Sequence, residues 1–102
     1  MPKRRKTLAP LPPGETLRED FLAPLGLTAH GLAIDLSVPA TRINDIVRGR
    51  RAITADTALR LARYFGTTPR FWINLQANYD LEVAQDAVGE EIAERVRPRR
   101  VA

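Results

Sequence analysis

Apolar residues recur along this chain at helical spacing, and the clearest stretch runs from Thr28 to Arg51. Leu32, Ala33 and Leu36 make one stripe there, and Ile43, Ile46 and Val47 make another. The pattern predicts two short helices joined by a tight turn at Ser37-Val38-Pro39. Ala33 sits where two steeply crossing helices need a small side chain. With Ile43, Ile46 and Val47 turned inward, a rotation of about 100° per residue points Thr41, Asp45 and Arg48 outward. Arg42 and Asn44 then lie on the flanks of that outer face.

The same reading extends to both sides. Leu17, Phe21 and Leu25 recur every fourth residue, with Leu22 beside them, and predict a first helix. Pro12-Pro13-Gly14-Glu15 opens it and Pro24 and Gly26 end it, while Glu15, Arg18, Glu19 and Asp20 form its wet side. Thr28 is the expected N-cap of the second helix, and the third starts near Pro39 and ends at Gly49. Thr54 caps a fourth helix whose buried face reads as Ala55, Ala58, Leu59, Ala62 and Phe65, with Leu61 at its flank and Arg60 and Arg63 exposed. Gly66 ends it, and Thr68 with Pro69 begins a fifth. That helix carries Phe71, Trp72, Leu75 and Tyr79, with Ile73 on another side, and these large residues belong either to the core or to an interface. Beyond Leu81, Gly89 is expected to interrupt the helical pattern, leaving Ile92, Ala93 and Val96 for a last short helix.

A chain of 102 residues supports one domain with a modest core. It has no cysteine, hence neither a disulfide framework nor a thiolate metal site. No apolar run approaches a membrane helix in length and the N-terminus lacks the apolar core of a signal peptide, so a cytoplasmic protein with no membrane partner is expected. The net charge of +4 changes the picture through its distribution. Lys3 to Lys6, Arg48 to Arg51 and Arg95 to Arg100 are separate basic clusters, and residues 1–11 read as a basic N-terminal arm.

The cluster at Arg48 adjoins the polar face of the third helix, which suits a helix lying in the major groove of DNA. There Arg42 or Arg48 would reach guanine or phosphate, Asn44 adenine or phosphate, and Asp45 would orient an arginine or accept from cytosine. The alternative is that Arg42 with Asp45, and Asp45 with Arg48, are ordinary surface ion pairs. Arg50 and Arg51, just past the helix, would add salt-dependent phosphate contacts. The candidate DNA surface is therefore Thr28, His30, Pro39, Ala40, Thr41, Arg42, Asn44, Asp45, Arg48, Arg50 and Arg51. No glycine-rich phosphate loop is present, His30 is the single histidine, and the carboxylates lack paired or metal-binding spacing. A non-enzyme is expected, without metal, cofactor or small-molecule substrate.

Several motifs carry a family resemblance. The spacing of Ala33, Ser37, Ile43 and Ile46 is similar to the helix-turn-helix of the Xre/Cro repressor superfamily. Pro13-Gly14-Glu15, Leu25-Gly26-Leu27, the run Ile43 to Arg51, the run Ile53 to Leu61, Phe71-Trp72-Ile73-Asn74-Leu75-Gln76 and Tyr79-Asp80-Leu81 follow one branch of it in order. That branch is the HigA-like, or VapI-like, antitoxins of type II toxin–antitoxin modules, and the resemblance covers residues 12–88. It implies an all-α, five-helix domain of the lambda-repressor type. Residues 12–79 would form the DNA-binding domain, and residues 80–102 a helical extension with a basic tail. It also implies a homodimer on a palindromic operator, repression of the protein's own operon, and neutralisation of a cognate RelE-like mRNA-cleaving toxin. Phe71, Trp72, Leu75 and Tyr79 are then candidates for a dimer or toxin interface. The chain departs from the superfamily pattern at Ala29, where a polar side chain is common, and at Ser37, where glycine is usual. A stand-alone Xre-type repressor without a toxin partner would share every DNA-binding residue, so that alternative stays open.

Overall fold

The computed structural model describes residues 9–100, so the basic cluster at Lys3 to Lys6 lies outside the described residues. Five helices and no strand are found among the described residues.

The first helix, α1 (13–25), is built of three consecutive parts: Pro13–Thr16, a wider π turn over Leu17–Leu22, and Ala23–Leu25. In a regular helix the ring of Pro24 would press on the carbonyl of Asp20. The wider turn ahead of it, in which Ala23 N–H donates to the Arg18 carbonyl, opens that spacing. The expected fourfold stripe is corrected accordingly. Leu17 and Leu22, five apart, are buried together, whereas Leu25 is 59% exposed at the end of the helix. Gly26 takes the left-handed backbone that stops it.

The second helix, α2 (Ala29–Leu36), starts where the Thr28 hydroxyl accepts the Gly31 amide at 2.9 Å. It ends at Ser37, whose φ of 60° is the single positive value at a non-glycine residue among the described residues. The amides of Ser37 and Val38 close that end on the carbonyls of Ile34 and Ala33. The third helix, α3 (Ala40–Val47), follows from Pro39 and is closed the same way, with Gly49 left-handed and the Arg50 amide on the Asp45 carbonyl. Gly14 lets α1 lie directly on this end of α3. A β-carbon there would fall into the Ile46 carbonyl and come within 2.9 Å of Val47 Cα.

The fourth helix, α4 (Ala55–Phe65), buries Thr57, Ala58, Leu61 and Ala62. The expected face is thus rotated: Leu61 is buried, while Leu59 is 60% exposed and Ala55 is exposed. α4 packs against both α2 and α5, so its buried face is set by two neighbours rather than by its richest apolar stripe. The fifth helix, α5 (Pro69–Arg95), opens on Thr68, whose hydroxyl accepts the Phe71 amide. It runs unbroken through Gly89, contrary to the expected interruption, and passes residue 79 without a break. A glycine in a helix costs only about 1 kcal/mol relative to alanine, too little to force a break by itself. Trp72 is fully buried, its indole N–H donating to Thr67 Oγ1 at 2.7 Å, and Phe21 packs 4.9 Å from both Trp72 and Phe65. From residue 80 onward every described residue is exposed except half-buried Gly89. The distal half of α5 therefore stands clear of the core.

Candidate nucleic-acid interface

The core fixes which way α3 faces. Ile43 and Ile46 are buried, which leaves Thr41 exposed and Asp45 half-buried on the opposite side, with Arg42 and Asn44 half-buried on its two flanks. Pro39 and Arg48 are exposed at the two ends of that helix and Ala40 is half-buried in its first turn. Thr28 and His30 are exposed at the start of α2, and Arg50 and Arg51 are exposed in the loop after α3.

The side chains on this face are not tied in the i to i+3 pairs of the alternative reading. Arg42 Nη1 donates to Asp56 Oδ1 at 2.8 Å, so its partner comes from the first turn of α4. Asp45 receives Arg51 Nη2 at 3.5 Å, which draws the loop arginine back toward α3. Asp45 thus faces the loop arginine Arg51 rather than Arg42 or Arg48 of its own helix. Arg48 and Arg50 make no ion pair among the described residues.

Three further residues support the face and escaped the sequence reading. Arg60, expected to be exposed, is half-buried. Its Nε donates to the same Asp56 Oδ1 at 2.8 Å, and its Nη1 donates to the Leu36 carbonyl at 2.8 Å. Hydrogen bonds from Arg60 and then Arg42 hold the Asp56 carboxyl below its usual range. Gln76 on α5 accepts the Ile53 amide at 2.8 Å and so pins the far end of the loop that carries Arg50 and Arg51. The signal available for the first pair was the opposite charge of Asp56 and Arg60 one helical turn apart. Nothing local could have revealed Gln76, whose partner is 23 residues away.

The four candidate interface residues separate. Trp72 belongs to the core and offers no surface to a partner, which corrects its place among them; an indole with its N–H satisfied internally is a packing residue. Phe71 is 38% exposed, and Leu75 and Tyr79 are half-buried.

Two short helices joined by a left-handed serine turn, the second presenting a polar outer face followed by arginines, define a helix-turn-helix domain. Residues 17–72 match the helix-turn-helix family profile. The virulence-associated protein I of Dichelobacter nodosus is 52% identical over 83% of this chain and 79% of its own length. Antitoxin HigA-1 of Vibrio cholerae is 35% identical over 93% and 89%. Among solved structures, the Pseudomonas aeruginosa antitoxin HigA with the higBA promoter superposes with a TM-score of 0.87 at 45% identity, covering 89% of this chain and 99% of that one. The antitoxin GraA in complex with its operator superposes with a TM-score of 0.85 at 44% identity, covering 93% and 95%. The chain belongs to the HigA-like antitoxins of the helix-turn-helix family. Among the described residues no helix is long and apolar enough to cross a membrane.

Proposed function

We propose that this protein is a DNA-binding antitoxin that represses its own operon as a homodimer and neutralises a cognate toxin. The observation that carries the reading is the close likeness, over nearly the whole chain, to two antitoxins solved with promoter or operator DNA. The polar face of α3 supports it, since an exposed Thr41 and Arg48 flanking Asn44 and Arg42 provide both base-edge and phosphate donors. In this reading Thr28, His30, Pro39, Ala40 and Thr41 approach the backbone and groove edge. Arg42, Asn44 and Arg48 reach bases, and Arg50 and Arg51 neutralise phosphates. A palindromic operator follows from two copies whose recognition helices are about 34 Å apart along the duplex. The apolar row Leu81, Val88 and Ile92 on the distal half of α5, each 39% to 68% exposed, supports pairing of two copies. The toxin is proposed to be a RelE-like mRNA-cleaving ribonuclease.

Fluorescence anisotropy on the protein's own promoter tests the DNA half. Replacing Arg42, Asn44 and Arg48 together by alanine is expected to abolish preference for the promoter over a scrambled duplex. Unchanged preference would refute the assignment. Purification of tagged protein from nuclease-treated native lysate tests the other half. A small basic protein recovered at near one-to-one ratio is the expected toxin. Recovery of the protein alone, with tight promoter binding intact, would leave a stand-alone repressor.

A further inference from the structure

We propose that Asp56, on α4 and outside the helix-turn-helix, sets the sequence specificity of DNA binding by holding the Arg42 guanidinium in its reading position. The inference rests on the DNA-binding reading above. One carboxylate oxygen, Asp56 Oδ1, lies 2.8 Å from Arg42 Nη1 on α3 and 2.8 Å from Arg60 Nε on its own helix. Arg60 is itself fixed, because Nη1 also reaches the carbonyls of Leu36 and Ser37 at the turn between α2 and α3, at 2.8 and 3.4 Å. The carboxylate is therefore anchored to the turn that sets the angle of α3, and Arg42 is anchored to the carboxylate. Arg42 uses Nη1 for this contact, so the rest of its guanidinium edge keeps donors for a base or a phosphate.

The arrangement has two effects on discrimination. A long side chain fixed before binding loses less freedom when it reaches its base, and it cannot reposition to suit a wrong one. Asp56 is also an exposed negative charge beside a basic face, in the first turn of α4. It opposes phosphates that approach without the fit that keeps Arg42 paired, and penalises unselective binding. Removing the charge releases Arg42 and removes that penalty together, so both effects lower the preference for the cognate site.

The experiment measures binding of full-length wild type, Asp56→Asn, Arg42→Ala and the double variant to promoter and scrambled duplexes at fixed salt. Asp56→Asn is expected to lower the promoter-to-scrambled ratio about tenfold, partly by raising affinity for the scrambled duplex. In the Arg42→Ala background the same change should leave the ratio within about twofold, because there is no guanidinium left to position and the carboxylate then repels both duplexes alike. Asp56→Glu, which keeps the carboxylate, should recover part of the ratio. NMR of the Arg42 guanidinium in the free protein gives a readout independent of DNA. Its slow rotation should disappear in Asp56→Asn while the amide spectrum stays folded. An unchanged ratio in Asp56→Asn, or an equal fall with and without Arg42, overturns the proposal. Wild type that fails to prefer its promoter at all would instead overturn the DNA-binding reading, and the NMR result would still decide whether Asp56 holds Arg42.

Discussion

Ser37 and Gly14 show what single positions are asked to do here. Ser37 holds a left-handed φ of 60° that its β-carbon disfavours, in the turn that joins the two helices of the helix-turn-helix. Ser37→Gly should raise stability by about 0.5–1 kcal/mol in chemical denaturation, with the denaturant slope unchanged. Gly14 is the opposite case, kept by close approach of another backbone. Gly14→Ala should destabilise by about 1–3 kcal/mol, because the atoms it meets are the Ile46 carbonyl and Val47 Cα and neither can swing aside. Asp56 carries the pH dependence of the arginine contacts. Its carboxyl titrates below the usual range, so its stabilising contribution is complete above the ordinary carboxylate pKa. That contribution fades as pH falls through the lowered folded value. Carboxyl-carbon NMR titration of Asp56 should show the depressed midpoint, and Arg60→Ala should bring it back toward normal.

At the scale of elements, the loop between α3 and α4 matters most. It carries Arg50 and Arg51 and is tied at one end by Asp45 and at the other by Gln76. Gln76→Ala leaves the part-buried Ile53 amide unpaired and should cost about 1–2 kcal/mol. Arg50→Ala with Arg51→Ala should leave stability unchanged but weaken binding to every duplex. It should also flatten the salt dependence of affinity, by a slope of about 1 for each phosphate that is no longer neutralised. Equal slopes before and after would rule out their phosphate role. The helix-turn-helix itself was legible in the sequence because Leu32, Ala33, Leu36, Ile43 and Ile46 face a single neighbouring core and keep a regular period. The flanking helices were less legible. In α1 the π turn replaced a period of four by a step of five, so Leu22 is buried and Leu25 exposed. In α4 two packing partners turned Leu61 inward and Leu59 outward. Hydrogen bonds that join distant elements, such as Arg42 with Asp56 or Ile53 with Gln76, have no periodic signature at all.

The whole molecule is elongated, 55 Å in its longest dimension, because α5 continues past the core. At about 1.5 Å per residue its 27 residues reach roughly 40 Å. Replacing Val88 and Ile92 together by aspartate should shift the protein toward monomer in sedimentation equilibrium. Promoter affinity should fall with it, since two half-sites would no longer be engaged as a unit. Thermal unfolding of the core should change little, because both side chains lie outside it. A dimer that survives the double change would place the interface elsewhere.

The exposed half of α5 has a further consequence for how the chain behaves on dilution. A helical segment of this length, with Gly89 within it and no core beneath it, is only marginally ordered by its own hydrogen bonds. In the proposed dimer its permanence is borrowed from the second copy that covers it. Amide hydrogens of residues 80–95 should therefore exchange with solvent deuterium at a rate set by protein concentration, while those of α2 and α3 exchange at a rate that ignores it. The order of the molecule's longest element becomes a gauge of how many partners surround it.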